Sequence, residues 1–246
     1  MYEEKRGFIV IYVTGDTHNS IDLDSVISHS KNTRLNLDDK IIIAGDFGLL
    51  WGHERNNREQ NLIDFWIARY PEVLWIDGNH ENFDRIKELP TEERHGSDVG
   101  VVHPGIYHLR RGRVYTIDGL KFFTFGGGYS IDKLHRFEGI SWWKEELPSF
   151  MESSNGLNVL EEHNNKVDYV ITHTAPLSVF NAMCSLTNLR HKKNMEDRSL
   201  MEYFDHVSDT VDFKKWFFGH YHVDLVTHGG KYRCLYNDVV SINKED

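Results

Sequence analysis

The first half of the chain is punctuated by short apolar, β-branched runs with no polar face. Residues 8–14 read FIVIYVT, residues 40–44 KIIIA and residues 73–76 VLWI. A strand with one wet face alternates polar and apolar side chains; these runs do not, so each is predicted to lie in a sheet covered on both sides. Between them, residues 23–32 and 58–70 show helical periodicity, with Leu62, Phe65, Trp66 and Arg69 on one face. Strands alternating with helices predict βαβ units and a parallel sheet.

The pattern changes after Ile106. Residues 106–109, 113–117 and 121–125 are short strand-like runs joined by tight turns, and Asp118-Gly119 is a strong hairpin signal. Residues 168–172 and 215–218 are again buried-strand runs. Residues 223–227, 232–236 and 239–242 read as an antiparallel meander turning at Gly229-Gly230 and Asn237-Asp238. No internal repeat or linker interrupts the 246 residues. The expected architecture is α/β: one domain over residues 1–246, with two stacked mixed β-sheets and helices outside.

A formal charge of −10 repels a polyphosphate backbone, so long nucleic acid is not an expected partner. A phosphate-bearing small molecule is still compatible, because bound metal ions reverse charge locally. Cys184 and Cys234 have no metal or redox spacing and read as thiols rather than a disulfide. The apolar start of the chain is too short to span a membrane and lacks the basic lead of a signal peptide, so a cytoplasmic location is expected.

Every candidate for chemistry follows a predicted strand. The first leads into Gly15-Asp16-Thr17-His18, the second into Gly45-Asp46, and the third into Asp77-Gly78-Asn79-His80-Glu81. Residues 168–172 deliver His173, and residues 215–218 deliver Gly219-His220-Tyr221-His222. Ligands of open α/β sheets collect at the carboxyl ends of strands, so these five ends can share one crevice. Taken singly, Asp16-x-His18 and Gly45-Asp46 are equally turns or helix caps, and His173 alone is equally a core or surface histidine. Two imidazoles at alternate positions, His220 and His222, suit a metal better. Together the set offers the oxygen and nitrogen donors that divalent ions take.

The ordered series GDTH, GDFG, GNHE, THTAP and GHYH, from Gly15 to His222, closely resembles the signature of the calcineurin-like metallophosphoesterases. That resemblance implies a pair of mixed β-sheets flanked by helices and a dinuclear centre. Asp16, His18 and His222 would hold one metal, Asn79, His173 and His220 the other, and Asp46 would bridge them. His80 would sit outside the ligand shell as the catalytic histidine, donating in its protonated form to the departing alkoxide. The implied reaction is hydrolysis of a phosphomonoester or phosphodiester by a metal-bridging hydroxide. Mn, Fe, Zn and Ni suit this donor set about equally, and Mn is the natural choice for assays.

Departures from relatives narrow the substrate. Protein phosphatases of this superfamily continue their second motif with Asp-Arg-Gly, whose Arg holds phosphate; here Asp46 leads into Phe47-Gly48-Leu49-Leu50-Trp51-Gly52. Arg55 and Arg58 are the nearest substitutes, or else plain helix-surface charges. No segment reads as the capping domain common in nuclease relatives. A small nucleotide-like phosphoester is therefore favoured; a protein phosphatase or a non-catalytic metal-binding interaction module are the alternatives.

Two loops are left over. Residues 125–143 combine a glycine run with Tyr129, Asp132, Arg136, Trp142 and Trp143. Either they cover the metal site, with Tyr129 and Arg136 touching substrate, or they are structural, with the tryptophans plugging a gap under a sheet. Residues 184–197 hold a basic island of Arg190, His191, Lys192 and Lys193, read as a solvated face or as a receiver of anionic substrate.

Overall fold

The computed structural model describes residues 9–187 and 197–242. The basic island at residues 190–193 lies outside them. The strands are β1 (Ile11–Thr14), β2 (Lys40–Ile43), β3 (Glu72–Trp75), β4 (Thr91–Arg94), β5 (Ser97–His103), β6 (Ile106–Leu109), β7 (Arg113–Ile117), β8 (Leu120–Phe125), β9 (Tyr169–Thr172), β10 (Lys215–Phe218), β11 (Leu225–Thr227), β12 (Tyr232–Cys234) and β13 (Val239–Ile242). They form one sheet in the order β13-β1-β2-β3-β6-β5-β4 and a second in the order β11-β12-β10-β9-β8-β7. The neighbours β1, β2, β3 and β6 are parallel, as are β8, β9, β10 and β12, and the outer pairs are antiparallel. Both sheets are thus mixed, as expected.

The absence of a polar face in the strand runs explains the layering. Alternate residues of a strand point to opposite faces. In β1, Ile11 and Val13 face the second sheet across a core shared with Leu74, Phe122, Ile171 and Phe217. Tyr12, between them, packs outward with Ile41, Trp75 and Trp66. In β10, Phe217 faces inward while Trp216 and Phe218 meet Phe204, Leu200 and Met183 on the outer side. Each such buried side chain contributes roughly 1.5–3 kcal/mol.

The outer layers are helical: α1 (Asp24–Asn32) and α2 (Asn57–Ile67) on one side, α4 (Phe150–Glu162), α5 (Leu177–Leu186) and α6 (Arg198–Thr210) on the other; the short α3 (Phe83–Lys87) follows the third strand-end motif. Asn56 caps α2 by accepting from Glu59 N at 3.0 Å. Leu62 and Trp66 are buried and Phe65 partly so, while Arg69, just beyond the helix, lies over Phe65 at 3.7 Å. Among the described residues, no helix is long and apolar enough to cross a membrane. Cys184 and Cys234 are free thiols, the second buried.

Two expectations change. The antiparallel pattern starts earlier, because β4 and β5 already form a hairpin before Ile106. The C-terminal meander is also incomplete: β11 and β12 pair antiparallel, but β13 crosses to the other sheet and pairs with β1. The Asp224 carboxylate accepts from the backbone N–H groups of Tyr236, Asn237 and Asp238, at 2.8, 3.1 and 3.0 Å. That grip redirects the chain between sheets where a local turn signal suggests a simple hairpin. The Asp118-Gly119 turn does behave as read, with φ of 51° and 84° at the two positions.

Candidate metal centre

The strand ends of β1, β2, β3, β9 and β10 bring all seven candidate ligands together. Asp46, 1% exposed, lies at the middle. Its Oδ2 is 3.2 Å from His18 Nε2, and its Oδ1 is 3.3 Å from His173 Nε2. Asp16 Oδ2 is 3.1 Å from His222 Nε2. Asn79 Oδ1 is 3.1 Å from His173 Nε2 and 2.9 Å from His220 Nδ1. Three sets of donor atoms each lie within 4.8 Å of one another: Asp16, His18 and His222; His18, Asp46 and His80; Asp16, Asp46 and His173. Such clustered oxygen and nitrogen donors suit divalent cations.

The backbone is strained where these side chains are aimed. His18, Asp46, His220 and His222 have φ of 41°, 50°, 69° and 51°, in the left-handed region that costs non-glycine residues of order 1–3 kcal/mol each. The surrounding structure holds them there. Asp16 Oδ1 accepts from His220 N at 2.9 Å, and Asp46 Oδ1 accepts from His80 N at 2.8 Å. Gly219 is required for this approach, since a Cβ there would sit 2.1 Å from Asp16 Oδ1.

The outward ring nitrogens have partners of their own. His18 Nδ1 is 2.7 Å from Asp22 Oδ2, and His173 Nδ1 is 2.9 Å from Ala44 O. In both cases Nε2 is left facing the cluster, the arrangement typical of metal-binding histidines. Tyr236 stacks on His222 at 4.7 Å and donates its hydroxyl to Asp22 Oδ1 at 3.1 Å. Asp22, Tyr236 and Ser130 are supporting residues that motif reading missed. Only Asp22 left a local trace, four residues after His18.

Opposite charges are concentrated in this cluster. Burial opposes protonation of His18 and His173, yet Asp46 and Asp16 hold them at about 9 and about 10. Burial likewise opposes ionisation of Asp46, but His173 and His18 keep its carboxyl well below the usual range. Asp16 Oδ2 is buried without a well-directed hydrogen bond. A cation at this position would satisfy that oxygen and take over the protons' role.

His80 differs. Burial, with Arg136 and His18 nearby, lowers its pKa below 6.5 despite the pull of Asp46. The Arg136 guanidinium lies against the ring, its Nη1 3.3 Å from Nδ1 and Nη2 3.3 Å from Nε2. The protonated form expected of His80 is thus disfavoured by its surroundings, and the fixed positive charge beside the ring belongs to Arg136.

The loop of residues 125–143 reaches this centre. A Cβ at Gly128 would lie 3.0 Å from the His173 ring and 3.3 Å from Asn79 Oδ1. Tyr129, Asp132 and Arg136 line a cleft of about 610 Å³ above the cluster, with Ile21, Ile131 and Tyr236 also on its walls. Asp132 pairs with Arg136 at 2.8 Å. The two tryptophans divide: Trp143 is buried against Trp51 and donates Nε1 to Asp84 at 2.8 Å, whereas Trp142 is half-exposed. The structural reading thus fits Trp143, while Tyr129 and Arg136 stand on the wall of the cleft.

The model of the calcineurin-like phosphoesterase family matches residues 9–224. The chain belongs to this family. No curated protein matches the sequence. Among solved structures, TT1561 of Thermus thermophilus superposes with a TM-score of 0.55 at 12% identity, covering 96% of this chain and 99% of that one. Phosphopantetheinyl hydrolase from Mycobacterium tuberculosis has a TM-score of 0.49 at 15% identity, covering 92% and 87%. The likeness to TT1561 agrees with the two mixed, helix-flanked sheets of this calcineurin-like phosphoesterase.

Proposed function

We propose that the chain is a metal-dependent hydrolase of phosphomonoesters or phosphodiesters acting on a small, nucleotide-like substrate. The position of Asp46 carries this reading. Its two carboxylate oxygens face different histidines, His18 and His173, a placement suited to a carboxylate shared by two ions. Asp16, His18 and His222 would hold one ion and Asn79, His173 and His220 the other. When bound, such a pair polarises phosphoryl oxygens and lowers the pKa of a coordinated water.

The chain's own residues supply the rest. Arg136 offers a permanent cation at the cleft, suited to a non-bridging phosphoryl oxygen. His80, beside that guanidinium, would donate a ring N–H to the ester oxygen as negative charge develops there. Asp22 keeps a proton on His18 Nδ1, which fixes Nε2 as the donor atom. Tyr129 and Tyr236 provide aromatic walls for the organic part of the substrate.

The test is hydrolysis of p-nitrophenyl phosphate, its bis-ester and a nucleotide panel by protein loaded with Mn²⁺, alongside metal analysis. His80→Asn is expected to lower turnover by roughly 10²-fold with metal content retained. Loss of metal in that variant would make His80 a ligand. Protein that holds both ions and hydrolyses none of these compounds would sink the enzymatic reading in favour of an interaction module.

A further inference from the structure

A second groove, about 280 Å³, adjoins the metal cleft and shares His18, Ile21 and His80 with it. Its own walls include Trp51 and Arg58. Arg58 is exposed at the start of α2, and its one recorded partner among the described residues is a neutral hydroxyl, Ser20 Oγ at 2.9 Å. The arginine of the adjoining cleft, Arg136, has a carboxylate partner in Asp132. In a chain of net charge −10, a guanidinium at a groove without a carboxylate partner is a place for an anion to come from outside.

The groove also offers apolar and aromatic surface. Trp51 is half-buried, braced edge-to-face by Trp143 at 6.0 Å, with its ring 6.1 Å from His80. Ile21 stands 75% exposed at the junction of groove and cleft. An exposed isoleucine beside a fixed indole is a ready surface for a planar ring. Arg136 touches His80 in the cleft, while Arg58 sits in the groove that opens on the same histidine. Two guanidinium groups thus serve two cavities that meet at His80.

Resting on the hydrolase reading above, we infer that the Trp51–Arg58 groove is a substrate subsite for a second anionic group carried on an aromatic limb. The scissile phosphoryl group would sit at the metal centre beside Arg136, and the neighbouring phosphate would reach Arg58, with the ring against Trp51 and Ile21. The chemical class is a nucleoside diphosphate or a comparable aromatic bisphosphate, rather than a simple monophosphate.

Equilibrium binding tests this apart from turnover. Calorimetry with Mn²⁺-loaded protein would compare non-hydrolysable analogues of adenosine 5′-diphosphate, adenosine 5′-monophosphate and inorganic pyrophosphate. A charge-assisted contact predicts that the diphosphate binds about tenfold tighter than the monophosphate. In Arg58→Ala that ratio should collapse toward one, and Arg58→Lys should keep part of it. Pyrophosphate, which has no ring, should bind at least about fivefold more weakly than the nucleoside diphosphate. A wild-type ratio near one, or a ratio that survives Arg58→Ala, overturns the anion subsite; pyrophosphate binding as tightly as the nucleoside overturns its aromatic half. Failure of the hydrolase reading would appear separately, as absence of p-nitrophenyl phosphate hydrolysis by metal-loaded protein.

Discussion

The side-chain amide of Asn79 donates to Ser130 Oγ at 3.2 Å, which turns its Oδ1 toward His173 and His220. Ser130 is in turn held by Glu146, whose Oε2 accepts from Ser130 N at 3.3 Å. A loop residue thus sets which end of Asn79 meets the cluster. Ser130→Ala removes that choice while leaving every proposed ligand in the sequence unchanged. Outer partners of this kind typically matter 10–100-fold, so metal affinity is expected to fall by about that factor. Competition with a chelating dye measures it, and unchanged affinity would show that Asn79 is oriented by other means.

Asp46→Asn is expected to weaken both ion sites together, because Asp46 faces His18 and His173 at once. Asp16→Asn should affect mainly the site shared with His18 and His222. Metal stoichiometry by atomic emission after dialysis separates the two variants. An Asp46→Asn protein that loses one ion and keeps the other would rule out the shared carboxylate.

Metal uptake should depend on pH in a defined direction. In the metal-free protein His18 is held at about 9 and His173 at about 10, so both are protonated at neutral pH. A metal must displace those protons. Apparent affinity should therefore strengthen as pH rises from 7 toward about 9, with proton release detectable in calorimetry run in buffers of different ionisation enthalpy. Affinity that is flat over this range would contradict the protonated resting state.

Glu146 should leave its own mark on stability. Burial lifts its pKa from 4.5 to about 7, only partly offset by the Ser130 and Trp143 contacts. Folding then favours the protonated acid. Its contribution is complete below pH 4.5 and is lost as pH rises through about 7. Glu146→Gln should flatten this part of the curve, a difference of up to about 3 kcal/mol between the ends of the window. Urea denaturation of the metal-free protein at several pH values checks it; parallel curves for the two proteins would refute the assignment.

Local order carried a large part of this protein. Short β-branched apolar runs without a polar face pointed to sheets covered on both sides, and Ile11, Tyr12 and Val13 are all buried. The strand-end motifs also named the residues that now cluster, since a parallel sheet delivers successive carboxyl ends to one edge. What remained hidden depends on contacts between distant segments. The Asp224 grip that sends β13 to the first sheet joins residues 12 or more apart, and no turn dipeptide encodes it. Ser130 supports Asn79 from 51 positions away. The lowered pKa of His80 is likewise tertiary: burial and the guanidinium of Arg136, 56 residues later in the chain, weaken the protonated form that the motif suggested. Sequence determined which donors are present and on which strand ends they stand. Packing decided their protonation and orientation, and opened the Arg58 groove beside them, because burial and electrostatic fields arise only when distant segments meet.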